Sequence, residues 1–173
     1  MGCRLASMAP IKIRKSRKAD VEEFIHLVQE LAKFEHLQPP SPAGRKRLAD
    51  DVFKRKRINL IVASDGRKLV GYALYFFTYS SFLAKPSLYL EDLFVLKEYR
   101  KRGVGFALLR RCVDEAISSG CGRMEWAVLT WNEKALRFYE KLGAKRLADW
   151  YVYRLDEKGL SGVPRAERRM SWA

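Results

Sequence analysis

The chain is poor in metal- and disulfide-forming side chains: 3 cysteines and 2 histidines among 173 residues. Cys3, Cys112 and Cys121 form no CxxC pair, and His26 and His36 stand outside any HExxH context. That scarcity excludes a disulfide framework and a structural zinc site, so no metal is expected. No apolar run approaches the ~18–20 residues that a membrane span needs, and residues 1–10 lack the apolar stretch of a secretory leader. Met1-Gly2-Cys3 is followed by Ala6 where an N-myristoylation signal has Ser or Thr. A cytoplasmic protein without membrane contact is the expectation. Repeats and low-complexity tracts are absent as well.

Acidic residues are also in deficit, 20 against 34 Lys and Arg, for a formal net charge of +14. Such a surplus attracts polyanions, which admits nucleic acid or an acidic protein as partner. A hydrophobic fraction of 48% is enough for one sizeable core, and the length suits a single domain.

Along the chain, Ile11 and Ile13 alternate with Lys12 and Arg14 as a short half-buried strand, and Ser16 and Asp20 offer caps for a helix. Val21, Phe24, Ile25, Val28, Leu31 and Ala32 then recur at helical spacing, and the helix should stop near Glu35, ahead of Pro39, Pro40 and Pro42. Residues 45–57 read as a basic amphipathic helix. Residues 58–64 and 68–79 read as a hairpin around Asp65-Gly66, and residues 88–96 as a further strand. A helix is predicted over 105–119, a strand over 123–129, a helix over 132–142 and a last strand over 150–155. This divides the chain into an N-terminal segment 1–10, a domain 11–155 and a basic tail 156–173. The order is that of a mixed α/β or α+β protein built around one sheet.

The most specific feature is Arg100-Lys101-Arg102-Gly103-Val104-Gly105, which follows an apolar strand and opens a helix. Glycines let a backbone approach its ligand, and the amides of a helix N-terminus favour a pyrophosphate. Lys97, Arg100, Lys101 and Arg102 add cationic donors. The loop is neither a Walker loop, since no Gly-Lys-Ser/Thr follows, nor a dinucleotide fingerprint, since the third glycine is missing.

Taken together, Leu90-Glu91-Asp92-Leu93-Phe94-Val95, Arg100-x-x-Gly103-x-Gly105, Asn132-Glu133 and Phe138-Tyr139 resemble the GNAT superfamily of acetyl-CoA-dependent N-acetyltransferases. Within it the chain resembles the spermidine/spermine (diamine) acetyltransferases and their thialysine-acetylating relatives, over about residues 11–155. The resemblance implies a single GNAT-like domain: a central, mixed, mostly antiparallel twisted sheet, splayed at the acetyl-CoA site and flanked by about four helices. It also implies a homodimer and direct transfer of acetyl from acetyl-CoA to a small primary amine.

By the same resemblance, Glu91 is the base and Tyr139 the acid. The chemistry requires both, because an alkylamine with a pKa near 10.4 is neutral in only about one molecule in 2,500 at pH 7, and the departing thiolate needs a proton. Leu93, Phe94 and Val95 map to the pantetheine contacts. Arg100, Lys101, Arg102, Gly103, Val104, Gly105, Phe106, Asn132, Glu133 and Ala135 map to the rest of the cofactor site. Phe34, Glu35, Glu91, Asp92, Glu125, Trp126 and Ala127 map to the acceptor side. The acidic loop of the diamine enzymes is shortened here to Ala148-Asp149-Trp150. Two other readings stay open: a protein lysine or N-terminal acetyltransferase that docks through the basic helix, and a non-catalytic module that binds coenzyme A or nucleic acid.

Overall fold

The structure, a computed structural model, describes residues 10–163. It divides into two compact units, the first ending at Ala127 and the second beginning at Val128.

The first unit is built on a five-stranded sheet in the order β1 (Lys12–Lys15), β2 (Asn59–Asp65), β3 (Lys68–Ser80), β4 (Lys85–Val95) and β5 (Arg123–Glu125). The first four strands pair antiparallel, and β5 joins β4 in parallel, which makes the sheet mixed and mostly antiparallel as expected. From Leu60 to Ala63, and again from Leu69 to Tyr75, successive β2 and β3 residues are buried, because helices cover both faces of the sheet. On one face α1 (Val21–Phe34) and α2 (Pro42–Phe53) contribute Phe24, Leu27 and Val52 to a cluster with Leu60, Val62, Leu69, Tyr72, Leu74, Phe94 and Leu96. Helix α3 (Val104–Ser118) buries Leu108, Leu109, Cys112 and Ala116 and packs against β2, β3 and β4.

Local chemistry sets the helix ends. Asp20 immediately precedes α1, but its carboxylate does not cap that helix. It accepts from the Arg17 amide at 2.6 Å and takes a bidentate pair from Arg14, at 2.7 and 2.8 Å, which ties β1 to the start of α1. Farther along α1, Glu23 accepts from the Leu69 amide and anchors the helix to β3. The basic helix expected over 45–57 instead runs Pro42–Phe53. Pro42 stands in its first turn, where a missing N–H costs nothing, and Ser41 Oγ accepts from the Gly44 amide at 3.1 Å. Asp65 at the end of β2 pairs with Lys68 at the start of β3 across Gly66 and Arg67, which closes the tight turn expected around Asp65-Gly66.

Two expected strands fall short. The strand predicted over 123–129 is paired only at Arg123–Glu125. Its partner β4 carries a bulge just beyond: Leu74 faces Asp92 while Tyr75 faces Leu90, so Glu91 is the extra residue. A bulge bends its strand, and β4 and β5 part directly after the Tyr89 and Glu125 pair. The second unit holds α4 (Glu133–Lys141) and α5 (Glu157–Gly162). The strand predicted over 150–155 is irregular there, with Trp150, Tyr151, Val152 and Tyr153 exposed. Its backbone has no ladder partner among the described residues, and an apolar, aromatic run without one does not make a strand. The tail expected from 156 onward begins as α5, with Asp156 accepting from the Gly159 amide at 2.7 Å; its basic cluster lies outside the described residues. Among the described residues, five α-helices, with 3-10 turns at Lys18–Asp20 and Lys97–Tyr99, thus stand where about four helices were expected. No helix among the described residues is long and apolar enough to cross a membrane.

Candidate active site

The site in the first unit forms where β4 stops pairing with β5. From residue 90 to 95, β4 pairs with β3 on one side while β5 has already ended on the other, so the sheet opens at Leu93, Phe94 and Val95. A chain of alternating amide and methylene groups can lie along such an edge as a further strand does. The strand then runs through the turn Lys97–Tyr99 into the loop 100–103 and the start of α3.

That loop is shaped by two left-handed residues, Lys101 with φ 62° and Gly103 with φ 77°. Gly103 adopts the conformation without strain, and as the residue before α3 it brings no capping side chain. The first intrahelical bond is from the Ala107 amide to the Gly103 carbonyl at 2.9 Å, so the amides of Val104, Gly105 and Phe106 precede the helix ladder. With the exposed Lys97, Lys101 and Arg102 nearby in sequence, this helix end suits a pyrophosphate. Phe106 is exposed on the first turn, while Val104 is buried beneath it. The splayed edge and the amide cradle together fit acetyl-CoA, whose pantetheine arm carries amides and whose other end carries phosphates.

Arg100 stands apart from the other loop cations. Its Nε donates to the Val95 carbonyl at 2.8 Å, and its guanidinium lies over the rings of Phe34, at 4.7 Å, and Phe94, at 5.6 Å. It therefore joins the end of α1 to the end of β4, a cation–π role that the sequence motif does not announce. Arg102 in turn lies over the Tyr99 ring at 5.2 Å.

The acceptor-side acids gather at the bulge. Glu91 is the unopposed, exposed residue, and Asp92, half-buried, accepts from the Tyr72 hydroxyl at 3.0 Å. Burial is the main force that pushes the Asp92 carboxyl up to about 6; Glu91 and Glu35 add to it, and the Tyr72 hydrogen bond opposes it. Burial also raises Glu35, directly after α1. Burial first, then the Asp92 charge, drives Tyr72 well above the usual phenol range, so it stays a donor. Phe34, Glu35, Glu91 and Asp92 thus share one region of the first unit. Tyr72 was not singled out by sequence reasoning; the available signal was one hydroxyl within the apolar run Leu69 to Leu74.

The remaining candidates are more dispersed. Glu125 ends β5 and pairs with Arg123 at 3.0 Å, and Trp126 and Ala127 follow it as irregular chain. In the second unit, Asn132 Oδ1 accepts from the Ala135 amide at 3.3 Å, Glu133 pairs with Arg137 at 3.0 Å, and the Tyr139 and Phe138 rings stand 5.1 Å apart. Cys112 is buried in α3, which pushes its thiol up to about 12.

Comparison with known proteins agrees with this arrangement. Residues 22–144 match the "Acetyltransferase (GNAT) family". The chain is 32% identical over 165 residues to the thialysine N-epsilon-acetyltransferase of Mus musculus, covering 88% of this chain and 96% of the mouse protein. It is 40% identical over 95 residues to the L-ornithine N5-acetyltransferase of Arabidopsis thaliana, covering 55% of this chain and 42% of that protein. An integron cassette protein from V. cholerae shares the fold, with a TM-score of 0.75 at 23% identity, covering 90% of this chain and 98% of that one. The opened β4 edge and the Gly103 cradle are thus found in a chain that belongs to the GNAT family of acetyltransferases.

Proposed function

We propose that the protein transfers acetyl from acetyl-CoA directly to the primary amine of a small cationic acceptor of the polyamine, thialysine or lysine-like class. The observation that carries this reading is the acidic group Glu35, Glu91 and Asp92 at the β4 bulge, in a chain whose net charge is +14. Local charge outweighs global charge in such a case. One carboxylate at 4 Å attracts an ammonium by about 4 kcal/mol at an effective dielectric of 20, whereas a unit charge 20 Å away in water repels it by about 0.2 kcal/mol. The similarity to a thialysine acetyltransferase over most of both chains supports the same class.

Acetyl-CoA, when bound, supplies the acetyl group as an activated thioester. Glu91 accepts the ammonium proton of the acceptor, directly or through water, and so yields the neutral nucleophile. An amide on the opened edge of β4, between Leu93 and Val95, donates toward the developing oxyanion. The Tyr139 hydroxyl gives its proton to the departing thiolate and regains one from the second proton that the acceptor nitrogen sheds as the amide forms. Asp92 and Glu35 hold the positive charge of the acceptor.

The test is thiol release from acetyl-CoA with spermidine, spermine, thialysine, lysine, ornithine and basic peptides. At least one free amine should turn over. Glu91→Gln and Tyr139→Phe should each lower kcat by about 10²-fold or more while the affinity for acetyl-CoA holds within about twofold. Turnover of peptides alone, or binding of acetyl-CoA without turnover of any acceptor, would overturn the proposal.

A further inference from the structure

Tyr72 is fully buried, its ring edge-on to Phe24 at a centroid distance of 5.3 Å and tilted against Phe94 at 6.3 Å. A phenylalanine would fill this apolar setting as well; a hydroxyl buried here requires a partner. Its partner is Asp92 Oδ2, at 3.0 Å. The register explains the pairing: Tyr72 faces Phe94 and Leu74 faces Asp92, so Tyr72 and Asp92 are diagonal neighbours on one face of the sheet. The bond joins the rigid core of β3 to the first residue after the bulge.

Resting on the small-amine reading above, we propose that Tyr72 is a positioning residue for the acceptor site, its hydroxyl fixing the orientation of the Asp92 carboxylate that anchors the acceptor's ammonium. Without the hydroxyl the carboxylate keeps its burial and its acidic neighbours but loses the donor that favours its charged form. The groups facing Asp92 are Tyr72 from β3, Glu91 beside it on β4 and Glu35 from the end of α1. Each of the two glutamates disfavours a charge on Asp92, and only the Tyr72 hydroxyl among these three supports one. The sign follows. Asp92 must be ionised to hold an ammonium, and removal of the hydroxyl makes it take up a proton at higher pH.

The test is the pH dependence of kcat/KM for the best amine of the panel, over about pH 5 to 9, in wild type, Tyr72→Phe, Asp92→Asn and the double variant. Tyr72→Phe should move the acid limb upward by about one pH unit, the equivalent of one charge-assisted hydrogen bond. It should raise the amine KM by about threefold near pH 6.5, and by about tenfold toward pH 5, while the KM for acetyl-CoA stays within about twofold. In Asp92→Asn this acid limb should vanish, and adding Tyr72→Phe should change little more. An unmoved limb in Tyr72→Phe, with kcat lowered alike for every acceptor, would make the hydroxyl merely structural and overturn the inference. Should Tyr72→Phe fail to fold, an acid limb left unchanged in Asp92→Asn overturns it equally. If wild type acetylates no amine at all, the small-amine reading itself fails and this inference with it; a wild type that turns over with an unmoved limb in the variants refutes Tyr72 alone.

Discussion

Gly71→Ala offers a direct check on how tightly the site's main strand is held. Gly71 pairs with Val95 across β3 and β4, and a Cβ there would stand 2.7 Å from the Phe94 carbonyl oxygen, 3.2 Å from Val95 Cγ2 and 3.3 Å from Leu108 Cδ1. The first contact is about 0.7 Å short of an ordinary one, and it is to backbone, which cannot rotate away. β3 and β4 must part, or α3 must lift. Overpacking of this kind costs ~1–3 kcal/mol, and the lower entropy of an alanine-bearing unfolded chain offsets ~0.4–1 kcal/mol of it. The net loss is ~1–2 kcal/mol, which for a chain of this size lowers Tm by ~2–8 °C. Thermal unfolding followed by circular dichroism, with urea titration alongside, measures it. Gly105→Ala is the control: its Cβ would meet only Val95 Cγ2, at 3.9 Å, so an alanine in the first turn of α3 should hold or raise stability. Because the clash falls on Phe94 and Val95, Gly71→Ala should also weaken acetyl-CoA binding. A Tm within about 1 °C of wild type would refute the reasoning, since it would mean that the strands separate at almost no cost.

Asp20→Asn should lower stability at neutral pH by ~1–3 kcal/mol, as the bidentate bond from Arg14 loses its charge. The Arg14 hydrogen bond, chiefly, holds the Asp20 carboxyl below the usual range in the folded state. Its contribution is therefore complete above the ordinary aspartate pKa and disappears as pH falls through the lower folded value, so the two proteins should converge in acid. Urea titrations across that range decide, and a gap of constant size would count against the ion pair. Cys112 should resist alkylation in the native protein and react in urea, because burial keeps its thiol protonated up to about 12. Peptide mass spectrometry reads the outcome, and full labelling of Cys112 under native conditions would show that α3 opens readily.

Much of this protein was legible before any coordinates. Helices α1 and α3 follow from apolar residues at helical spacing, the β2 to β3 hairpin from Asp65-Gly66, and the cradle from Arg100-x-x-Gly103-x-Gly105. Each of these signals acts between residues a few positions apart, where capping, turn conformation and periodicity operate. The start of α2 was misjudged because three prolines suggest a break, although Ser41 and Pro42 together begin a helix.

What the tertiary structure decided involves partners distant in sequence. The bulge that leaves Glu91 unopposed is a matter of register between β3 and β4, and the same bend ends β5 at Glu125. Arg100, read as a phosphate ligand, is drawn onto Phe34 and Phe94, and Tyr72, which no local motif marks, bonds Asp92 twenty residues away in the chain. The aromatic and β-branched run over 150–155 promised a strand, but a strand exists only where another backbone meets its hydrogen bonds. The linked motifs, through their resemblance to a known family, were enough to name the chemistry. The protonation and aim of the carboxylates that would carry it depend on desolvation and neighbouring charges, which arise only once the chain has folded.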